Sequence, residues 1–218
     1  MKHIAKNREP ADFTEWKRSQ EPEPSWTSFE GTPEKRAVHQ SLVDEQGCIC
    51  CYCGARVERA TSHIEHIKPR SLYPSLEFDY QNMLASCEGG TLDGLRRGET
   101  HCGHRKRYWY DEHLFVSPLD ASCETYFRYL ASGEISSTDD SGARPATEET
   151  IKRLGLNSAS LQAARKNAID AIVSVLAPGD HARATRLLHG FSQRDAGGRF
   201  APFCMAIIYI LQQFYLPE

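Results

Sequence analysis

Apolar residues recur at helical spacing over several stretches, most of them in the second half of the chain. Between Thr32 and Gly47 they fall on one side of a helix, with Thr32 as the N-cap and Gly47 as the stop. The clearest helical pattern covers residues 158–177, and a Pro-Gly pair follows it. Shorter patterns predict further helices at residues 148–154, with Thr147 as the N-cap, at 180–189 and at 202–215.

Short apolar runs predict strands before residue 90. Residues 56–58 and 61–67 suit two strands, and residues 83–85 form a third short apolar piece. A helix that starts near Cys102 is expected to carry Arg105, Lys106, Tyr108 and Trp109. The predicted fold class is therefore α+β and mainly helical, with a small core of strands and one helix.

The first 31 residues contain three prolines and two tryptophans, which predicts an extended arm with at most a short helix at residues 11–19. The arm is either a poorly ordered terminus or a strap that binds a partner. A turn-rich connector at residues 139–145 interrupts the later part of the chain. We therefore expect three parts: the arm (1–31), a core (32–110) and a helical region (111–218). The arm and the helical region are the expected docking surfaces.

Composition indicates an ordinary globular protein of 218 residues, with 40% hydrophobic and 25% charged residues. A net charge of −3 gives no overall attraction to nucleic acid, so any such attraction needs a local basic patch. The N-terminus lacks the apolar segment of a secretory signal, and the longest apolar run is shorter than the roughly 20 residues of a membrane span. We expect a cytoplasmic protein without membrane contact, in which the eight cysteines bind metal in preference to forming disulfides.

Two cysteines at Cys-x-x-Cys spacing, Cys50 and Cys53, form the first half of a predicted zinc site. Gly54 follows directly, and a glycine there lets the backbone turn back toward the metal. Cys48 and Cys51 have the same spacing and overlap this pair. We favour Cys50 and Cys53 because the glycine lies at the turn and because Tyr52 can shield the site.

The second half of the site is less regular. Cys87 and Cys102 are the natural ligands, and His101 is an alternative to one of them. The competing interpretation is a set of buried free cysteines, which are common in protein cores. Cys123 and Cys204 lie far from this cluster in the sequence and are expected to be buried thiols.

An acidic residue next to a histidine, Glu65-His66, lies between the two cysteine pairs. The unperturbed pKa of a histidine, about 6.5, suits His66 to act as a general base. Glu65 offers a hard oxygen ligand for magnesium or manganese. Asn82 could orient His66 or add a carbonyl ligand, and His104 could complete the metal shell. His63 shares a strand face with Glu65 and is either a further ligand or, as we slightly favour, a structural histidine. This layout is typical of a small metal-dependent nuclease site.

A locally basic segment follows the second cysteine pair. Phosphate contacts from such side chains give affinity that is independent of base sequence and falls with salt. The residues predicted to contact nucleic acid are Arg105, Lys106, Arg97 and Lys68. No feature of the sequence predicts base reading, and a solvated helix face is the alternative for each of these side chains.

Residues 48–107 resemble an HNH (His-Asn-His) endonuclease of the ββα-metal type. Glu65-His66-Ile67-x-Pro69 is similar to the acidic-His-x-x-Pro signature of that family, Asn82 to its asparagine and His104 to its last position. The resemblance implies that His66 is the base and that Glu65, Asn82 and His104 hold the catalytic ion. It also implies structural zinc on four cysteines, although the long segment between Cys87 and Cys102 departs from many family members and leaves the fourth ligand open.

The wider resemblance, over roughly residues 1–165, is to the PtuB-type HNH proteins of retron and Septu antiphage systems. It implies a PtuA-type ATPase partner of the SMC/ABC class, nucleic acid as substrate, and an association with a retron reverse transcriptase and its RNA–DNA product. DNA is the favoured substrate and RNA, including tRNA, the alternative. Two other interpretations compete: a non-catalytic zinc-binding module, and a nuclease that acts alone, for which we find no base-reading module.

Overall fold

The computed structural model describes residues 1–21, 23–90, 100–177 and 179–216, and it has an α+β fold. The helices of these residues are α1 (Ala11–Ser19), α2 (Trp26–Phe29), α3 (Pro33–Glu45), α4 (Cys102–Lys106), α5 (Arg144–Leu154), α6 (Ala159–Val173), α7 (His181–Ser192) and α8 (Cys204–Phe214). The strands are β1 (Ser62–His66), β2 (Met83–Cys87), β3 (Phe127–Tyr129) and β4 (Ile135–Ser137).

Strands β1 and β2 form an antiparallel pair in which Ser62 lies opposite Cys87 and His66 opposite Met83. Alternate side chains point to opposite faces of this pair. One face carries apolar residues that pack with the apolar side of α3, whereas helix α4 contacts β2. The side chains of His63 and Glu65 lie on the other face, between the hairpin and α4, whereas Ser62 and His66 share the face of Ile64.

Helix α3 has the bounds that the pattern predicts, and the Thr32 side chain accepts a hydrogen bond from the backbone of Lys35 as its N-cap. The N-terminal segment packs on this helix. The predicted short helix is confirmed as α1, and Phe13 and Phe29 are fully buried beside Leu42. The early aromatic residues are thus part of the core around α3.

Strands β3 and β4 pair antiparallel and pack with helices of the second half of the chain. Ile4, Leu84, Leu161 and Ile210 belong to one buried cluster, which joins the N-terminal segment, the first hairpin and helices α6 and α8. The division of the chain at residues 31 and 110 stays a prediction. No helix in the described parts of the chain has the length and apolarity to cross a bilayer.

The structure corrects several predicted elements. The strand at residues 56–58 is wrong: Arg56 forms an isolated bridge with Ile49, and the N–H of Val57 donates to the carbonyl of Cys48, but the pairing does not continue into a strand. Helix α4 ends at Lys106, before Tyr108 and Trp109, because the next residue has a positive φ of 53°.

The predicted helix boundaries in the second half also change. Helix α5 begins at Arg144, with a proline in its first turn, so the predicted N-cap at Thr147 is wrong. The Thr147 hydroxyl lies inside the helix and donates to the carbonyl of Ala143 at 2.9 Å. Helix α6 ends at Val173, four residues before the predicted end, whereas α8 confirms the last predicted helix.

Candidate active site and zinc cluster

Four cysteines from three separate segments meet in a cluster. The turn at residues 50–53, the end of β2 and the start of α4 provide Cys50, Cys53, Cys87 and Cys102, whose sulfur atoms lie within 4.8 Å of one another. The sulfurs of Cys53 and Cys87 are 3.8 Å apart. Tetrahedral zinc with bonds of about 2.3 Å needs sulfurs at about this separation. The cluster therefore fits a structural zinc site.

The environment of the sulfurs also suits a metal. The backbone N–H of Cys87 donates to the Cys50 sulfur at 3.3 Å, as expected for a thiolate. Burial alone would raise the pKa of Cys50, but hydrogen bonds from the neighbouring thiols, first that of Cys102, hold this pKa well below its usual range. His101 borders the cluster, with Nδ1 at 3.3 Å from the Cys102 sulfur. The overlapping pair of Cys48 and Cys51 does not belong to the four-sulfur group.

A second group of potential metal ligands lies on the polar side of the hairpin: His63, Glu88 and His104. Glu88 Oε2 is 2.6 Å from His104 Nε2, and Glu88 Oε1 is 3.7 Å from His63 Nδ1. The rings of His63 and His104 meet edge to face, with centroids 4.5 Å apart. One ligand atom from each residue lies within 4.8 Å of the other two, so the three can surround a single ion.

The strand register brings these residues together. His63 lies opposite Ser86, and the backbone of Glu88 continues the ladder by donating to the carbonyl of Thr61. Because the side-chain period is two, Ser86 and Glu88 share the face of His63 and Glu65. The backbone N–H of Gly103 donates to the Ser86 hydroxyl at 3.1 Å, which fixes α4 on that face.

Gly103 allows α4 to approach this closely. A Cβ atom on this residue would lie 2.6 Å from both Glu65 Oε2 and His63 Nε2, closer than real Cβ contacts. A residue with a side chain here would displace the Glu65 and His63 side chains or move the helix. The glycine thus lets α4 lie close to β1 with both side chains in place.

Glu65 is buried and held by two donors. Its Oε1 accepts from Tyr52 Oη at 3.1 Å and lies 2.9 Å from Lys106 Nζ. Burial alone would raise the pKa of Glu65, but the Lys106 ammonium and His63 together outweigh it and lower the pKa to about 2. Glu65 is therefore ionised throughout the physiological range. Lys106 Nζ also donates to the carbonyl of His66 at 2.8 Å.

The electrostatic field around His63 favours a cation. Burial alone would lower the pKa of His63, but the carboxylates of Glu65 and Glu88 outweigh it and raise the pKa to about 9. In turn, the nearby His63 ring, together with His104, lowers the pKa of Glu88 to about 2. Two carboxylates at this face thus remain charged and attract a positive ion.

His66 ends β1 and lines a cleft of about 910 Å³ that also exposes Glu65, His63 and His104. Its Nε2 is 2.9 Å from the carbonyl of Glu77. A carbonyl can only accept a hydrogen bond, so Nε2 carries the proton and Nδ1 is the unprotonated nitrogen. Burial lowers the pKa of His66, which keeps the ring neutral near pH 7. These are the properties of a general base.

The side chain of Asn82 does not lie where the predicted metal ligand would lie. Its Oδ1 accepts from the backbone N–H of Lys68 at 2.8 Å, and its Nδ2 donates to the carbonyls of Lys68 at 3.0 Å and Leu76 at 3.2 Å. The side chain thus holds the segment that follows His66. The structure brings Glu65 and His104 into one cleft but directs the Asn82 amide away from it.

A search of protein-family models finds no match for this chain. The chain is 32% identical over 160 residues to a Vibrio cholerae protein named as an HNH endonuclease of retron Vc95, with 71% of this chain and 73% of that protein aligned. The chain belongs to the HNH endonuclease family. The identity extends well beyond a single short motif, because the aligned part covers most of both chains.

Three of the four basic residues predicted to bind nucleic acid lie in described parts of this HNH endonuclease, and each has a different environment. Lys106 has no exposed side-chain surface, and its ammonium pairs with Glu65. Lys68 lies against the rings of Tyr73 and Tyr110. Arg105 packs beside Gly155, at the end of α5. Arg97 lies outside the described residues.

Two further arginines line the cleft of the HNH endonuclease: Arg107, which belongs to the predicted basic segment, and Arg70, for which the sequence predicted no role. Arg107 has φ of 53° and ψ of −114°, a conformation that residues with side chains adopt rarely. Glu88 was also missed. Its position directly after Cys87, in phase with Ser86, is the signal that could have revealed it.

Proposed function

We propose that this HNH endonuclease hydrolyses phosphodiester bonds of DNA in a metal-dependent reaction, as the effector of a retron defence complex. In this proposal β1, β2 and α4 form a zinc-stapled ββα-metal core. The observation that carries the proposal is His66, a neutral histidine with Nδ1 unprotonated, at the edge of a cleft that also contains two histidines and a buried carboxylate.

The residues of the cleft divide the work of hydrolysis. His66 accepts the proton of the attacking water at Nδ1, and the Glu77 carbonyl orients its ring through Nε2. Asn82 keeps the segment after His66 in place. Arg70 and Arg107 contact the phosphate backbone on either side of the scissile bond. A divalent ion bound in the cleft would stabilise the charge that develops on the phosphate and the leaving oxygen.

The partners follow from the family resemblance and the retron name of the Vibrio cholerae relative. We propose a PtuA-type ATPase that controls access to the nuclease, together with a retron reverse transcriptase and its RNA–DNA product, in the cytoplasm. With a net charge of −3 and few arginines at the cleft, the nuclease binds nucleic acid weakly by itself. The partner then supplies affinity and activation.

Cleavage assays with the wild type, His66→Ala and His189→Ala test this function, each with the candidate ATPase. His189 is an exposed histidine on α7 and serves as the control. Plasmid DNA and total tRNA are offered side by side, with manganese and then with EDTA. We expect DNA cutting by the wild type and His189→Ala only when manganese is present, and none by His66→Ala.

Each other outcome has a defined meaning. Cutting of tRNA in place of DNA would replace the proposed substrate and keep the enzyme. Cutting that survives His66→Ala would exclude His66 as the base. If none of the proteins cuts either substrate while zinc remains bound, the chain would be a zinc-binding interaction module.

A further inference from the structure

We propose that the catalytic ion is held by His63, Glu88 and His104, and that Glu65 orients His63 without binding the ion. This proposal rests on the proposed function, because it identifies the metal ligands of the same cleft. It replaces two predicted ligands, Glu65 and Asn82, and it assigns His63 to the metal. The three ligands provide two imidazole nitrogens and one carboxylate.

The first argument is distance. Glu88 presents one oxygen to each histidine, at 2.6 Å from His104 Nε2 and 3.7 Å from His63 Nδ1. An ion between the three residues needs only small side-chain rotations to reach bonds of about 2.0–2.2 Å. Asn82 cannot join this group without giving up the three hydrogen bonds that hold the segment after His66.

The second argument is the state of the His63 ring. Its Nδ1 atom is buried and has no hydrogen-bond partner among the residues that the structure describes. A buried ring nitrogen without a partner is costly and rare. The same nitrogen faces Glu88, so binding an ion would satisfy it. This is an independent sign of a ligand at the point where the three residues converge.

The third argument concerns Glu65. Its Oε1 is taken by Tyr52 and Lys106, and its Oε2 lies 3.5 Å from His63 Nε2. A histidine that binds metal through one nitrogen usually donates from the other to a carboxylate, which fixes the ring. Glu65 has this position relative to His63. It is therefore a positioning residue, held in turn by a buried lysine and a buried tyrosine.

The ligand set also predicts which ion is preferred. Imidazole suits first-row transition ions, whereas magnesium prefers oxygen ligands and keeps several of its waters. Two nitrogens and one oxygen therefore favour manganese over magnesium. Zinc already bound to the cysteines does not compete for this set, because the two groups share no residue.

Electron paramagnetic resonance of Mn²⁺ tests the proposal on zinc-loaded protein without nucleic acid. Glu88→Gln and His104→Asn should lose most Mn²⁺ affinity, and Glu65→Gln should weaken it by about 10- to 100-fold. Glu134→Gln is the control, because Glu134 is an exposed carboxylate directly before β4 and does not line the cleft. It should bind Mn²⁺ like the wild type, and added Mg²⁺ should displace the ion poorly.

Pulsed measurements of nitrogen coupling separate the new ligand set from the predicted one. Two imidazoles should couple to Mn²⁺ in the wild type and in Glu65→Gln, and only one in His63→Asn. Zinc content and circular dichroism confirm that each variant is folded. A purely structural role of Glu65 would lower the melting temperature and leave Mn²⁺ affinity unchanged.

Unchanged Mn²⁺ binding by Glu88→Gln, or a single coupled imidazole in the wild type, would overturn this ligand set. Cleavage is measured separately on the same samples. A wild type that cuts DNA while Glu88→Gln binds Mn²⁺ normally would refute the ligand set and leave the function intact. A wild type that binds Mn²⁺ through these residues but cuts nothing would refute the function alone.

Discussion

Lys106 offers the sharpest test of how the site is built, because sequence and structure assign it different roles. A basic residue beside the motif predicts a phosphate contact, whereas the structure buries its ammonium between Glu65 Oε1 at 2.9 Å and the carbonyl of His66 at 2.8 Å. Lys106→Met keeps the apolar stem and the approximate volume but removes the charge. The change leaves Glu65 buried with Tyr52 and His63 as its remaining partners.

The expected cost follows from the loss of a buried ion pair. Removing one partner of such a pair typically destabilises a protein by about 3–5 kcal/mol. The fall in the pKa of Glu65 from 4.5 to about 2 is the net effect of Lys106, His63 and burial, and it corresponds to about 3–4 kcal/mol at about 1.4 kcal/mol for each pH unit. Against a total stability of about 5–15 kcal/mol, this is a large fraction.

Urea denaturation of the zinc-loaded protein at pH 7 measures the cost. We expect Lys106→Met to lose about 3–5 kcal/mol, and the double variant Glu65→Gln/Lys106→Met to be more stable than the single one, because no unpaired charge stays buried. Lys152→Met is the matched control, since Lys152 forms an exposed pair with Glu149. It should change stability by less than about 1 kcal/mol.

The opposite pattern would refute the reasoning. If Lys106 contacts phosphate, Lys106→Met would leave stability nearly unchanged and weaken DNA binding for all sequences. The slope of log binding constant against log salt concentration would also become smaller by about one, which is the contribution of one phosphate contact. A loss of less than about 1 kcal/mol on unfolding, together with that change in salt dependence, would return Lys106 to the role predicted from sequence.

Two further predictions concern zinc and pH. Cys87→Ser should lose the bound zinc, as measured by mass spectrometry, and should melt at a lower temperature. Cys123 is buried outside the cluster, so Cys123→Ser should keep the zinc. Full zinc content in Cys87→Ser would contradict the zinc site. Burial lowers the pKa of His39 from 6.5 to about 4. Between pH 6.5 and about 4 the unfolded chain therefore binds a proton at His39 that the folded chain does not bind. The free energy of unfolding thus falls as the pH falls, by up to about 3 kcal/mol. Urea curves of His39→Gln should show a weaker dependence on pH than the wild type between pH 7 and 5, and an identical dependence would exclude His39 as the source.

The sequence predicts the fold best where a pattern repeats over many residues. Helix α3, the first hairpin and helices α6 and α8 carry long or sharply bounded apolar patterns, and all form near the predicted residues. Strands β3 and β4 have three residues each, too few to show an alternating pattern. Helix α5 begins in the segment that was predicted to be a turn-rich connector. The prediction was ambiguous because Arg144-Pro145 suits the first residues of a helix as well as a turn.

The residues of the candidate site, too, were predicted from the sequence only in part. Cysteine spacing predicted the first pair of the four-sulfur cluster, Cys50 and Cys53, because zinc sites use a small set of spacings, whereas Cys87 and Cys102 have no such spacing and left His101 as an alternative. The places of Asn82 and Lys106 depend on which backbone groups and charges lie nearby in the fold, and no local pattern records that. Glu88 was missed for the same reason, because its partners are 16 residues and more away in the chain.

The cysteine cluster and the proposed site of the catalytic ion are linked through the chain, which gives a structural reason for a zinc site next to a nuclease site. Glu88 directly follows Cys87, and His104 comes two residues after Cys102. Bringing these two sulfurs to one metal would therefore also bring β2 and α4 together at the spacing that lets Glu88 reach His104 at 2.6 Å. Helix α4 has only five residues and would be marginal alone. Zinc on the four cysteines would hold this short helix against the hairpin, and so fix the distance between the ligands that we propose for the catalytic ion.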